Sequence, residues 1–138
     1  MPPPTPSPSL HLELLPLPLY LEQLHGEDPV PSELLLRLSS EKENGFLSIT
    51  RTATETSIVS DVPTTGSTKW ACLKVVGPMD LGLTGIMSAI TEPLKRASVP
   101  VFAISTWDTD YVLIPYAKRN EGVSAMQNDG WVFDHLPL

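Results

Sequence analysis

The chain has 138 residues, 41% of them hydrophobic and 18% charged, which is the balance of one ordinary globular domain or two very small ones. Its formal net charge is −7 and its basic residues form no stripe, so binding to nucleic acid or to an anionic membrane surface is disfavoured. It has a single cysteine, no signal-peptide pattern and no apolar run near the roughly 20 residues of a membrane helix, which together predict a cytoplasmic location.

The first residues, 1–9, are rich in proline, and fixed φ angles with missing amide donors predict an extended, disordered tail. A role as a PxxP ligand is the alternative for this segment. In Leu10–Leu24, leucines alternate with other residues at a period of two, which predicts a strand. Because Pro16 and Pro18 interrupt the stretch, we predict one bent strand with an irregular middle.

A short helix is predicted over Glu33–Leu38, with Ser32 as its N-cap. Two strands follow, Gly45–Thr50 and Thr56–Ser60, with a hairpin between them. The first half of the chain therefore has the order strand, helix, strand, strand. A turn-rich joint over 61–68 separates it from the second half.

The second half repeats this order. A strand over Trp70–Val76 runs through a Gly/Asp turn into a helix over Leu83–Ala97, whose apolar residues form one face. Pro93 interrupts that helix and predicts a kink. Two short strands, Val101–Thr106 and Tyr111–Ile114, complete the pattern.

A second helix is predicted over Lys118–Asn128, although Gly122 weakens it. Gly130 suits the position just past the helix end, and Trp131–Asp134 predicts a last strand. The expected fold class is α+β, with two tandem ferredoxin-like units, antiparallel sheets paired side by side, and helices on one face. The predicted limits are a truncated first unit over residues 10–62 and a second unit over residues 63–138.

Three segments resemble the tandem ACT-domain family of small amino-acid-binding proteins: GFLSITRTATETSIV (45–59), LKVVGPMDLGLTGIMSAITEPL (73–94) and VPVFAISTWDTDYVLIP (99–115). The resemblance implies βαββαβ units that pair edge to edge and an effector bound at the seam between units. More distantly, the chain is similar to cytosolic arginine sensors of the TOR pathway. Those have an acidic residue where this chain has Leu83, which disfavours arginine as the ligand.

The resemblance also implies which residues hold the ligand. Its main-chain atoms would be held by the loop after the strand of the second unit, and the opposing wall would come from the following hairpin. The loop residues are Met79, Asp80, Leu81, Gly82, Leu83, Thr84, Gly85 and Ile86. The wall residues are Ile104, Ser105, Thr106, Trp107, Thr109 and Asp110.

The loop sequence itself is compatible with a carboxylate site. Free N–H groups at a helix start and the positive end of the helix dipole favour an anion, and Gly82 and Gly85 allow close approach to the main chain. The alternative is a tight strand-to-helix turn without a ligand. The Gly-Lys-Ser/Thr ending of a phosphate-binding loop is missing.

In the hairpin, Asp110 is predicted to pair with a ligand ammonium group, and Thr106 and Thr109 to supply hydroxyls. The alternative is a polar hairpin tip, because Asp and Thr suit turns. Asp108 and Asp110 alone are too few oxygen ligands for calcium or magnesium, so no metal is expected. The three tryptophans are predicted to pack in the core, with a lid over the pocket as the alternative for Trp107.

Catalytic machinery is not expected. The histidines His11, His25 and His135 are scattered near the ends, Cys72 suits a core position, and no nucleophile motif is found. We therefore predict a non-enzymatic regulatory or sensor domain without a cofactor. Its ligand would be an amino acid or similar small zwitterion, and its macromolecular partner a second copy or a regulated protein. The alternatives are a protein-interaction or dimerisation module with a vestigial pocket, and an enzyme of small amino-acid metabolites.

Overall fold

A computed structural model of the chain describes residues 7–40, 45–79 and 85–136. Contacts between residues divide the chain into two compact units, which are residues 1–16 with 71–138 and residues 17–70. We call them the terminal unit and the central unit. The predicted limits, 10–62 and 63–138, follow the repeat of element order and remain a prediction.

The order of elements confirms the α+β class and follows the predicted pattern of strand, helix, strand, strand, run twice and extended by a helix and a strand, with one difference. The single bent strand predicted over Leu10–Leu24 is two separate strands, Leu12–Leu14 and Leu19–His25, with Pro16 and Pro18 in the gap between them. The elements of the described residues are β1 (Leu12–Leu14), β2 (Leu19–His25), α1 (Ser32–Ser39), β3 (Leu47–Arg51), β4 (Glu55–Ser60), β5 (Thr68–Val75), α2 (Ile86–Arg96), β6 (Phe102–Ser105), β7 (Asp110–Pro115), α3 (Arg119–Asn128) and β8 (Phe133–Asp134). Short 3-10 helices cover Pro8–Leu10 and Tyr116–Lys118.

Two predicted helix starts are wrong by a few residues. Ser32 is the first residue of α1 rather than its cap, and Pro31 occupies the cap position. Helix α2 begins at Ile86 because Gly85, with a φ of 79°, lies in the left-handed region and cannot continue a right-handed helix. Leu83 and Thr84, the predicted first residues of that helix, lie outside the described part of the chain.

In the central unit, β4 pairs antiparallel with both β2 and β3, so that Ile58 is opposite Glu22 on one side and Ile49 on the other. Helix α1 packs on this sheet through Leu34, which is buried. Its Arg37 donates hydrogen bonds to the hydroxyl of Ser60 (2.9 Å) and to a carboxylate oxygen of Asp61 (2.7 Å). The buried Leu34 and the ion pair of Arg37 with Asp61 therefore hold α1 against the sheet.

The terminal unit takes its first strand from the start of the chain. Strand β1 pairs antiparallel with β5 and parallel with β8, with Leu12 opposite both Val75 and Phe133. Strand β7 pairs with β5 and with β6. The helices α2 and α3 complete a core of apolar side chains: Leu10, Leu12, Ala71, Leu73, Val75, Ile86, Ala89, Ile90, Leu94, Val99, Val112, Ile114, Met126 and Trp131.

Two helix-breaking residues of the terminal unit have structural roles. Helix α2 continues through Pro93, which is buried and whose carbonyl accepts a hydrogen bond from the N–H of Ala97 (3.1 Å). Gly122 of α3 is also buried, and a Cβ there would collide with the end of the Ile114 side chain. A glycine at this position lets α3 lie close to β7, which explains why a helix tolerates it.

Candidate functional site

The loop after β5 and the tip of the β6–β7 hairpin meet in the terminal unit; we call residues 75–79 together with residues 105–110 the hairpin corner. The N–H of Met79 donates a hydrogen bond to the carbonyl oxygen of Asp108 (2.6 Å). The hydroxyl of Thr109 donates another to the carbonyl oxygen of Val75 (2.6 Å) and lies 3.7 Å from the sulfur of Met79. Met79, the first residue of the predicted loop, is thus in direct contact with the hairpin.

Gly77 makes this contact sterically feasible. Its φ of 73° lies in the left-handed region that favours glycine. A Cβ on Gly77 would lie 3.3 Å from the Cβ of Thr109 and 3.4 Å from the carbonyl oxygen of Asp108. Both the conformation and the space at this position therefore select glycine.

The hairpin presents polar side chains on the strand residues that flank its tip. Ser105 and Asp110 are opposite each other in the β6–β7 register, and the Ser105 hydroxyl donates a 2.6 Å hydrogen bond to Oδ1 of Asp110. The N–H of Thr106 donates to the carbonyl oxygen of Thr109 (2.9 Å), which closes the turn. Asp110 is half-buried, so its carboxylate is positioned by the hairpin and still reached by solvent.

The predicted packing role is wrong for Trp107, whose side chain is 79% exposed at the hairpin tip. Trp131, in contrast, is 3% exposed and belongs to the core. Thr109 is also buried, and its hydroxyl is directed to the main chain of β5. The exposed polar and aromatic groups of the tip are therefore those of Ser105, Thr106, Trp107 and Asp108.

At the start of α2, little in the described residues compensates the positive end of the helix dipole. Gly85 at the N-cap is exposed, no acidic residue stands in the first turn, and no described side chain caps the first N–H groups. Ile86, predicted to line the site, is buried in the core, and Ile104 is half-buried on β6. The predicted loop residues Asp80, Leu81, Gly82, Leu83 and Thr84 lie outside the described residues, so their distance from the hairpin remains a prediction.

Residues near the start of the chain bind the hairpin corner through main-chain hydrogen bonds. This contact was not predicted from the sequence. The N–H groups of Val76 and Gly77 donate hydrogen bonds to the carbonyl oxygens of His11 and Ser9, each 2.8 Å long. Residues 1–6 of the predicted tail lie outside the described part, but Ser9 belongs to a 3-10 helix. Main-chain hydrogen bonds of this kind cannot be predicted from a pattern of side chains. The prolines around Ser9 predicted disorder instead.

Groups that suit catalysis or metal binding are not assembled in the described residues. Burial raises the pKa of the Cys72 thiol to about 12, against the opposing effect of Lys74, so the thiol is protonated at neutral pH. Nδ1 of His11 lies 3.0 Å from Oδ1 of Asp134, which ties β1 to β8. No three His, Cys, Asp or Glu side chains of the described part come together as metal ligands would. None of its helices has the length and apolarity to cross a membrane.

A shallow groove of about 370 Å³ runs along α2 from its first turn. An ion-paired cluster closes its far end, where Arg96 contacts Asp129 (2.9 Å), the C-cap residue of α3, and Glu92 of its own helix (3.8 Å). The groove is lined by Gly85, Ser88, Ala89, Glu92, Arg96 and Asp129. Its small and ion-paired side chains provide no specific recognition group.

Comparison with known proteins agrees with this architecture. Residues 66–128, somewhat less than half of the chain, match the model of the ACT domain family. The crystal structure of protein Atu0741 from Agobacterium tumefaciens is 26% identical, with a TM-score of 0.71 over 92% of this chain and 95% of that one.

Two structures of aspartate kinases share the fold at lower identity. The alpha and beta subunits of an aspartokinase are 10% identical, with a TM-score of 0.58 over 86% of this chain and 96% of that one. The ligand-free regulatory subunit of aspartate kinase from Thermus thermophilus is 8% identical, with a TM-score of 0.54 over 88% and 95%.

Proposed function

We propose that the chain is a non-catalytic regulatory domain that binds an amino acid or a similar small zwitterion, because residues 66–128 match the model of the ACT domain family. The observation that supports this most is the hairpin corner, where the loop leading to α2 is hydrogen-bonded to a hairpin bearing Asp110. A regulatory subunit of aspartate kinase with the same fold agrees with a regulatory role.

The carboxylate of the ligand binds the start of α2. The first N–H groups of a helix lack partners within the helix and carry the positive end of its dipole, which stabilises an anion by about 0.3–1 kcal/mol or more. The first turn of α2 has no acidic side chain that would compete with the ligand. Gly85, exposed and without a side chain, leaves the approach open.

The ammonium group of the ligand binds Asp110. This carboxylate is half-buried and oriented by the Ser105 hydroxyl at 2.6 Å, so little side-chain freedom is lost when it pairs with a cation. The hydroxyl of Thr106 and the indole of Trp107, both exposed, stand at the tip beside it. The aromatic face of Trp107 covers the ligand side chain, which is the predicted lid role.

Regulation follows if the ligand stabilises one conformation of the loop and hairpin over others, since a ligand shifts an equilibrium only by its difference in affinity for the two states. A zwitterion contacts two chain segments with two opposite charges, and therefore favours the conformation in which both are in place. The sequence-based placement of the ligand at a seam between ACT units remains a prediction.

A thermal-shift screen of the purified chain against the twenty amino acids tests the proposal. A ligand at one hundred times its Kd stabilises the folded state by about 2.7 kcal/mol, which raises the Tm by several degrees. For each amino acid that raises the Tm, the amide and the des-amino analogue are the matched controls, because each removes one of the two charges. Both are expected to give at most a small shift. A folded sample that no amino acid stabilises contradicts the proposal.

The alternative is a protein-interaction or dimerisation module, which the sheet edges favour. Among the described residues, β3 pairs with β4 alone and β6 pairs with β7 alone, so each has one side with unpaired main-chain groups. Sedimentation of the chain with and without amino acids distinguishes the two functions. A dimer that forms equally in both conditions, together with no ligand-induced stabilisation, supports the alternative.

A further inference from the structure

Helices α2 and α3 end in the same main-chain motif, but with different residues at its left-handed position. At the end of α3, Gly130 has a φ of 98°, and the N–H groups of Gly130 and Trp131 donate to the carbonyl oxygens of Gln127 and Met126. At the end of α2, the N–H groups of Ser98 and Val99 donate to those of Lys95 and Leu94. This double hydrogen bond is the Schellman motif, in which glycine is the usual residue.

Ser98 therefore occupies a position at which a side chain is unfavourable. Its φ is 58°, and a non-glycine residue there costs about 1–2 kcal/mol. The side chain is exposed and makes no core contact that would offset this cost. Strain that persists without a packing reason points to a function of the side chain, which here is a hydroxyl.

The residues around Ser98 have the pattern that a basic-directed serine kinase recognises. Lys95 and Arg96 stand three and two residues before the hydroxyl and are exposed, and the apolar Val99 follows it. Such kinases bind the two cations in acidic subsites and the following apolar side chain in a pocket, so charge pattern determines the substrate. In the sequence, Ser98 is the one serine or threonine with cations both two and three residues before it.

We propose that Ser98 is a phosphorylation site of a basic-directed serine kinase. The γ-phosphoryl group of ATP is transferred to Oγ of Ser98: the Oγ–P bond forms as the bond from the γ-phosphorus to the bridging oxygen breaks. ADP leaves, and the hydroxyl proton passes to the catalytic aspartate of the kinase. This proposal is independent of the ligand-binding function.

The site opens only transiently, because Val99 is 4% exposed and Leu94 is fully buried. A kinase binds its substrate in an extended conformation, so the end of α2 has to unwind locally before transfer. The strain at Ser98 lowers the cost of this opening. The folded chain is therefore phosphorylated more slowly than an unstructured peptide of the same sequence.

The phosphate adds negative charge at the C-terminal end of α2, where the helix dipole disfavours it. Lys118 lies beside this helix end, with its Nζ 3.2 Å from the carbonyl oxygen of Ser98. Arg96 is a second candidate partner for the phosphate, and it would then leave Asp129, the C-cap residue of α3. Phosphorylation thus exchanges a contact between α2 and α3 for a contact within the helix end.

The test is incubation of the full chain with a basic-directed serine kinase and Mg-ATP, with mass-spectrometric mapping of the phosphate. We expect close to one phosphate per chain, at Ser98. Ser98→Gly removes the hydroxyl and fits the left-handed conformation, so it folds and its incorporation falls at least tenfold. Thr52→Ala removes another exposed hydroxyl that follows an arginine and leaves incorporation unchanged.

Two further variants distinguish recognition of the two cations by the kinase from the effect of the ion pair at the helix end. The double variant Lys95→Ala with Arg96→Ala removes both cations and lowers kcat/KM at least tenfold. Asp129→Ala removes the carboxylate that Arg96 contacts at the end of α3 but keeps the cations, so kcat/KM stays equal or rises. The proposal is overturned if a peptide of residues 92–101 is phosphorylated while the folded chain is not, or if Ser98→Gly takes up as much phosphate as the natural sequence.

Discussion

The Thr109 hydroxyl donates a 2.6 Å hydrogen bond to the carbonyl oxygen of Val75, and this bond fastens the hairpin tip to the end of β5. Both residues are buried, at 5% and 1% exposure. Thr109→Val keeps the shape of the side chain but leaves the carbonyl without this donor. We expect the free energy of unfolding to fall by about 1–3 kcal/mol, measured by urea denaturation.

Thr106→Val is the matched control for that change. The Thr106 hydroxyl also donates to a main-chain oxygen, that of Thr109 at 3.2 Å, but Thr106 is exposed and water can replace the lost group. Its effect is expected to stay within about 0.5 kcal/mol. Equal losses for the two variants would show that the bond to Val75 does not hold the corner.

The start of the chain is an integral part of the terminal unit. Leu12 is fully buried between β5 and β8, so Leu12→Ala leaves a cavity and should lower the free energy of unfolding by about 2–5 kcal/mol. Leu17→Ala, at a leucine that is 65% exposed, should change it by no more than about 0.5 kcal/mol. Chemical denaturation of both variants tests this. A Leu12→Ala chain as stable as the Leu17→Ala chain would contradict the position of β1 between β5 and β8.

The contact between Gly122 and Ile114 predicts a double-mutant effect. Gly122→Ala gains about 1 kcal/mol of helix propensity, but its methyl group meets the end of the Ile114 side chain, and such overpacking costs about 1–3 kcal/mol. Ile114→Val removes the atom in conflict. We expect the double variant to be more stable than the sum of the single changes predicts, by about 1 kcal/mol in denaturation. Strict additivity would contradict close packing of α3 on β7.

Because the Cys72 thiol is buried, we expect the free energy of unfolding to depend on pH above about pH 9. The unfolded chain releases the Cys72 proton near the ordinary pKa of 9.0, whereas the folded chain holds it until about pH 12. Between these values the unfolded state binds fewer protons, so the free energy of unfolding falls as pH rises. The slope approaches about 1.4 kcal/mol per pH unit at pH values well above 9 and well below 12.

Cys72→Ala removes this titration. The difference in unfolding free energy between the natural sequence and Cys72→Ala should therefore shrink from pH 8.5 to pH 10.5. A difference that stays constant over that range would mean that the thiol is not shielded from solvent as its burial indicates.

Local patterns were sufficient to predict most elements. The alternation of leucines around Pro16 and Pro18 correctly predicted extended structure, but one bent strand was expected and the structure has two strands, β1 and β2, on either side of that proline pair. Gly130 was recognised as a helix-ending residue because its chemistry is local. The start of α2 was missed because a glycine in a left-handed conformation looks the same in sequence as one inside a helix.

The candidate site was predictable only in part. The loop and the hairpin were identified through the family resemblance, and the bonds from Met79 to Asp108 and from Thr109 to Val75 bring them together. Ser9 and His11 bind the corner through their main-chain carbonyl groups, and a pattern of side chains does not predict such bonds. The burial of Thr109 and the exposure of Trp107 are tertiary properties, and hydroxyl and indole chemistry alone suggested the opposite roles.

Calorimetric titration of an amino acid into Asp110→Asn and Asp108→Asn tests the central claim most directly, because the two carboxylates stand on the same hairpin and each change removes one charge. The account predicts that an amino acid binds the natural sequence, that Asp110→Asn weakens its affinity at least tenfold, and that Asp108→Asn changes it less than threefold. No heat of binding from any amino acid with the folded chain, or equal effects of the two variants, would contradict it.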